Sequence, residues 1–292
     1  MRRLRVLSIL LFLAACVCFG GYKFYYEGLL DNTAPVITVP EGSLSVSVTA
    51  TEEELLEGIT AEDGRDGDVT DSLFVESLSN FTAEATRTMY VIAVDGSGNV
   101  ARASREVVYS DYEAPKFTLT EPLAFPVGED DLLSAMGASD QLDGDLSDRV
   151  KVTGTYTLDD VAGNYPMEFT VSNSAGDVSK ITATVELYEL SGHASQPEIV
   201  LSDYLVYTDS AHKLDAWSYV QSITLSGREY SRSGNALTCS KTANPNYPEA
   251  IGKSSVKITD EVDYATPGCY EITYRYTWND YSGSVRLVVV VE

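Results

Sequence analysis

Short runs with β-branched or aromatic residues at every second position alternate along this chain with breaks rich in Gly, Asp and Asn. PVITV (35–39), SLSVSV (43–48), RTMYVIAVD (87–95) and VARASREVVY (100–109) have the two-residue period of half-buried strands. Gly96-Ser97-Gly98-Asn99 separates the last two, and these residues tolerate the positive φ of a tight turn, so the pair reads as a hairpin. Thr51-Glu52-Glu53-Glu54 ahead of Leu55 and Leu56 reads as the start of a helix of one or two turns, with acids in its first turn. The run LFVESL (73–78) makes a further strand.

This order of elements repeats. The stretch 61–99, with AEDGRDGDVTD at its head, returns further on as ASDQLDGDLSD (138–148) and then YPMEFTVSNSAGD (165–177). The second copy adds strands at KFTLT, LAFPV and 150–156, a helical turn at 130–133 and a hairpin of 167–171 with 178–187. A third copy begins at Pro197, with EIVLSDYLVY, a helical turn at 215–220, SITLSGREY and a closing pair, CYEITYRYTW and SVRLVVVVE. Its acidic turn is replaced by Ser226-Gly227-Arg228-Glu229, and it carries an insertion-like stretch at 231–255. Pro35, Pro115 and Pro197 mark the starts of the three copies at nearly even intervals. The boundaries that follow are 1–26 for a basic tip and apolar segment, then modules at 33–110, 113–190 and 197–292. Each module is expected to be a small all-β domain. A strand of ~10 residues spans ~33 Å, so three modules end to end would form a rod on the order of 100 Å.

The N-terminal segment differs from the rest. MRRLR precedes the apolar run VLSILLFLAACVCFGG (6–21), followed by Tyr22, Lys23, Phe24, Tyr25 and Tyr26. A helix over 4–26 is about long enough for a ~30 Å hydrocarbon core, with Lys23 snorkelling and the tyrosines at the interface. Basic residues ahead of the run place the N-terminus in the cytoplasm and everything from Glu27 outside, as a single-pass signal-anchor. Two other readings stay open. Leu13-Ala14-Ala15-Cys16 matches a bacterial lipobox, in which Cys16 is lipidated after cleavage, and cleavage at a small-residue site would give simple secretion.

Charge narrows the partners. Four of the 20 basic residues lie in the first 26, leaving 16 against 44 acidic residues beyond them, a formal charge of −28. Such a surface repels phosphate backbones, which argues against nucleic acid. With two histidines, no GxSxG elbow, no Gly-rich phosphate loop and no cysteine beside a His, acyl and phosphoryl transfer lack their parts, so no enzyme is expected. Paired carboxylates can serve a glycosidase, yet these clusters recur at one point of two modules, as a structural turn would. Cys239 and Cys269 have no zinc spacing. In an extracellular domain they are expected to form one disulfide, tying the insertion-like stretch to the start of the penultimate strand.

The order PVITV, AEDGRDGDVTD, YVIAVDGSGNVARASREVVY resembles a family of bacterial immunoglobulin-like modules. They occur in tandem in surface proteins of Gram-positive bacteria, and the family is named after an insecticidal crystal toxin. The resemblance covers 33–190 well and 197–292 through its terminal hairpin. It implies β-sandwiches displayed outside the cell, with no catalytic residues to carry over.

The expected architecture is therefore three tandem immunoglobulin-like β-sandwiches after an N-terminal transmembrane helix. The expected role is a membrane-anchored cell-surface protein whose first two modules are a spacer. The third, rich in aromatics (Tyr204, Tyr207, Trp217, Tyr219, Tyr230, Tyr247, Trp278, Tyr281), would present a surface to a protein or cell-wall glycan. Trp217 reads as a core plug rather than a ligand platform. The alternative role is a structural or assembly subunit of an envelope complex. No organic cofactor is implied. Calcium is the one candidate ion, at the joint of modules one and two, where Asp140, Asp143 and Asp145 of the acidic turn would converge with Asp111 and Glu113 of the linker. In the competing reading, these acids cap their own turns.

Overall fold

The computed structural model describes residues 2–129, 131–153, 161–193 and 195–292. Met1, Asp130 of the expected helical turn, the second half of the strand expected over 150–156, and Ala194 of the second linker lie outside the described residues. The chain divides into two compact units, Met1–Tyr112 and Glu113–Glu292.

The first unit opens with a helix, Arg2–Leu29. Within it, the 22 residues Arg5–Tyr26 are apolar enough to cross a membrane and none is buried, a description that a signal sequence also meets. A β-sandwich follows. One sheet orders Val36–Thr38, Thr60–Asp63 and Gly67–Asp68, and the other orders Leu44–Val46, Val100–Tyr109, Thr86–Val94 and Phe74–Ala83. The opening strand is thus split between sheets: Val36–Thr38 runs antiparallel to Thr60–Asp63, whereas Leu44–Val46 runs parallel to Val100–Tyr109. This switch makes the domain an immunoglobulin-like sandwich rather than two separate hairpins. Alternation sets the core: Met89, Val91 and Ala93 are fully buried from one face of Thr86–Val94. The short helix Glu52–Leu55 starts at Thr51 with a capping box, its hydroxyl accepting from the Glu54 amide while the Glu54 carboxylate accepts from the Thr51 amide.

The second unit holds two more sandwiches. The first has the same topology, with Lys116–Leu119, Met136–Asp140 and Gly144–Asp145 in one sheet and Ala124–Pro126, Val178–Tyr188, Gly163–Ser172 and Lys151–Thr153 in the other. In both copies the Asp-Gly-Asp turn folds back on the strand before it, and Gly67 and Gly144 take φ of +75° and +73°, which other residues rarely adopt. The last sandwich splits its opening strand in the same way, into Glu198–Leu201 and Leu205–Thr208. The insertion-like stretch is structured: Ala236–Thr238 and Ala250–Gly252 extend one sheet to five strands.

These two sandwiches do not meet end to end, which corrects that expectation for the second and third modules. Their buried residues form one continuous cluster, from Phe117 to Val291. Residues on the outer face of Val178–Tyr188 pack on the last hairpin: the Glu271 carboxylate accepts from the Thr184 amide at 2.6 Å, and Arg286 lies 3.0 Å from Glu186 and 3.6 Å from Glu271. The Phe117 amide donates to the Tyr207 hydroxyl at 2.7 Å, and burial raises the Tyr207 pKa to about 12. Tight packing also reaches Gly283, where a Cβ would overlap the carbonyl of Pro197.

Two substitutions test this packing. Gly283→Ala is expected to cost roughly 2 kcal/mol or more in urea denaturation, because neither backbone can yield. Arg286→Ala leaves Glu186 and Glu271 facing each other without their shared cation, and is expected to cost about 2 kcal/mol, partly restored by adding Glu186→Gln.

Candidate functional site

The acidic turn of the first sandwich brings four carboxylates together. Asp63 ends the strand Thr60–Asp63 and is only 6% exposed. Its Oδ1 accepts from the amides of Arg65 (2.7 Å) and Asp66 (2.9 Å), and its buried Oδ2 has no partner. Asp66 reaches across to the hairpin turn, where its Oδ2 accepts from the Gly96 amide at 2.8 Å. Asp95, also 6% exposed, closes that turn by accepting from the amides of Ser97 and Asn99 and from the Asn99 side chain. The same Asn99 amide group donates to the Asp31 carbonyl, and this holds the lead segment against the turn. Each of Asp31, Asp63, Asp66 and Asp95 offers an oxygen within 4.8 Å of the others. The Asp31 carboxyl lies below its ordinary pKa through hydrogen bonds from Thr33. For Asp95, burial pushes the pKa up, but hydrogen bonds from Asn99, Ser97 and Gly98 outweigh it and hold the group low.

The residues expected to bind calcium at the joint of modules one and two each have partners of their own. Asp140 accepts from the Asp143 amide (2.7 Å) and from the Asn173 side chain (2.8 Å). Asp143 accepts from both the amide and hydroxyl of Ser174 and pairs with Arg149 at 2.6 Å. Asp145 caps Ser147, Asp111 accepts from the Val48 amide and Ser47 hydroxyl, and Glu113 pairs with Lys116. Each of the five thus has its own neighbour within a turn or strand end. In the repeat, Asn173 takes the place of Asp95, Arg149 the place of Ser72 and Leu142 the place of Arg65, so the second copy has one carboxylate fewer and carries its cation at a different position. Asp31, absent from the expected ligand set, was legible in the sequence: it precedes Pro35 as Asp111 precedes Pro115.

Cys239 and Cys269 are free thiols rather than the expected disulfide. Cys239 follows the strand Ala236–Thr238 in the five-stranded sheet. Cys269 lies in Gly268–Trp278 of the opposite sheet, its thiol donating to the Thr182 carbonyl at 2.9 Å and its pKa raised by burial. Cys16 is exposed on the N-terminal helix.

The structure sorts the aromatics of the third sandwich. Tyr204, Trp217 and Tyr230 are buried, and Trp217, at 1% exposure, plugs the core as expected. Tyr207 is turned toward Phe117. At the tip of the last hairpin, Trp278 stacks on Tyr247 with ring centroids 5.0 Å apart, Arg228 lies over Tyr247 at 5.0 Å, and Tyr281, paired with Trp278 across the turn, is 44% exposed. Elsewhere in the second unit a groove of about 390 Å³ is lined by Leu123, Glu186, Tyr188, His193, Gly283 and Arg286, with the Tyr188 and His193 rings stacked at 3.7 Å.

No family model matches this chain. A curated relative, an uncharacterized 81.3 kDa protein of Acholeplasma phage L2, is 32% identical over 124 residues, which are 42% of this chain and 15% of that protein's length. Among solved structures, the CBM51-2 and INT domains of Clostridium perfringens ZmpB match over 50% of this chain and 26% of that one, at 16% identity and a TM-score of 0.22. Protocadherin gamma B7 cadherin domains 1–4 match over 89% and 76%, at 14% identity and 0.20. The lipoprotein BT2262 of Bacteroides thetaiotaomicron matches over 60% and 98%, at 9% and 0.22. At TM-scores this low the likenesses carry no inference about what the chain binds.

The second-module turn has a pH signature. Burial pushes the Asp143 pKa up, but hydrogen bonds from Ser174 and the charge of Arg149 outweigh it and hold the group below its ordinary value. Its stabilisation is therefore complete above the unfolded value of roughly 3.9 and is lost as pH falls through the lower folded value. Asp143→Asn is expected to lower stability at neutral pH and to flatten the acid limb of the stability profile below about pH 4, read by denaturation across a pH series.

Proposed function

We propose that this chain is a membrane-anchored extracellular protein of a Gram-positive bacterium, built from immunoglobulin-like modules of the crystal-toxin type, that binds a cell-wall glycan or a protein through its third module and carries out no catalysis. The helix Arg2–Leu29 is the anchor, with Arg2, Arg3 and Arg5 keeping its start in the cytoplasm. The first two modules act as spacer. The observation that carries the reading is the stack of Arg228, Tyr247 and Trp278 beside the exposed Tyr281. Flat, rigid rings that stay part-exposed at a hairpin tip, while their neighbours fill the core, provide a contact surface at low entropic cost.

Full-length protein in nanodiscs, pelleted with purified Gram-positive cell walls, tests the reading. The double variant Tyr247→Ala, Trp278→Ala is expected to bind roughly tenfold less or weaker while its melting curve is kept, the loss typical of an aromatic anchor. Equal pelleting of variant and wild type would remove the hairpin tip as the contact surface. Absence of wall binding in the wild type, with membrane proteins co-purifying through the helix, would favour the assembly-subunit role instead.

A further inference from the structure

We propose that Asp31, Asp63, Asp66 and Asp95 of the first sandwich hold one calcium ion, a site that does not depend on what the third module binds. The four side chains come from three separate pieces of chain: the lead after the helix, the Asp-Gly-Asp turn and the hairpin turn. Each offers an oxygen within 4.8 Å of the rest. Proximity of acids alone is common on surfaces, so the deciding observation is Asp63. At 6% exposure it is more than nine-tenths buried, and its Oδ2 is shut off from solvent without a hydrogen bond. The buried Oδ2 of Asp31 lacks a hydrogen bond as well. A buried acceptor left without a donor is costly, and a cation among several such oxygens satisfies them together while offsetting their charge.

The repeat supplies a comparison within the same molecule. In the second copy the equivalent turn has a protein cation, Arg149, on Asp143, and an amide, Asn173, where the first copy has Asp95. The first copy has Ser72 at the position of Arg149, and the Ser72 hydroxyl is engaged with the Val69 carbonyl. Arg65, in the turn itself, sets one positive charge against four carboxylates.

The donor set is all oxygen, with no His or Cys, which favours a hard cation over zinc. Calcium takes about 6 to 8 oxygens in irregular geometry and suits ligands drawn from separate loops, whereas magnesium demands a near-octahedral shell and keeps its waters. The four carboxylates supply part of the shell and solvent at the exposed Asp66 supplies the rest. Bound there, the ion would pin the lead segment to the sandwich and stiffen the place where the helix joins the first domain.

Isothermal titration of the full-length protein in detergent micelles with calcium chloride tests this, together with thermal melts in calcium and in chelator. The expected result is one ion per chain, a raised midpoint in calcium, affinity reduced by roughly tenfold or more in Asp66→Asn, and unchanged affinity in Asp145→Asn of the second copy. Asp31→Asn, in the lead outside any strand, is a second variant should Asp66→Asn fail to fold, and is expected to lose the same affinity. The proposal is overturned by absence of binding at millimolar calcium in protein with a normal circular dichroism spectrum, by tighter binding of magnesium than calcium, or by wild-type affinity in either variant of the first copy.

Discussion

Mutual repulsion of carboxylates at the turn end of the sandwich is the constraint on which this architecture is arranged. The Asp-Gly-Asp turn needs its aspartates, because they accept from backbone amides that the turn leaves unpaired, and the hairpin turn opposite needs an acceptor for the same reason. Meeting both demands places like charges against each other. The two regular copies answer differently. The second substitutes Asn173 and brings in Arg149, closing the network with protein groups alone. The first keeps its acids and leaves Asp63 Oδ2 buried without a donor. The third replaces the acidic turn with Ser226-Gly227-Arg228-Glu229, and Arg228 is turned instead toward Tyr247.

A second interaction divides the molecule. Between the second and third sandwiches, Arg286 is shared by Glu186 and Glu271 at 18% side-chain exposure, and Glu271 also satisfies a backbone amide and a hydroxyl at Thr184. Shared ion pairs of this kind are valuable chiefly because removing one member strands the others. Around them runs an apolar cluster common to both domains, so the last two sandwiches form one compact unit. The third module's aromatic tip is thereby carried on a base of two domains.

The strands, the two hairpins, the capped helix at Glu52–Leu55 and the three-sandwich architecture were legible in the sequence, because period-two alternation, Gly-rich turns and Thr-x-x-Glu are local signals whose physics involves neighbours in the chain. Trp217 as a core plug followed from its place in a repeated turn. The acidic turn was legible in both copies, but not that in the first it draws together the carboxylates of Asp31, Asp63, Asp66 and Asp95. Both copies contain the same Asp-x-x-Asp-Gly-Asp spacing, and what separates them is the residues around those acids: Arg65 against Leu142 within the turn, Asp95 against Asn173 in the distant hairpin turn, and Arg149 against Ser72.

What the sequence determined by itself is therefore everything that depends on contacts within a module: strand periods, turns, the split of charge between an apolar N-terminal helix and an acidic remainder, and the number of copies. The tertiary structure alone decided which charges face each other, which aromatics are buried, that Cys239, just past one sheet, and Cys269, in the opposite one, are free thiols, and that the last two sandwiches share a core. The reason is that outward-facing positions such as Thr182, Thr184, Glu186 and Glu271 have the polar look of solvent-exposed residues. A period-two pattern records which face of a strand is apolar, and it holds no record of a second domain packed against the polar one.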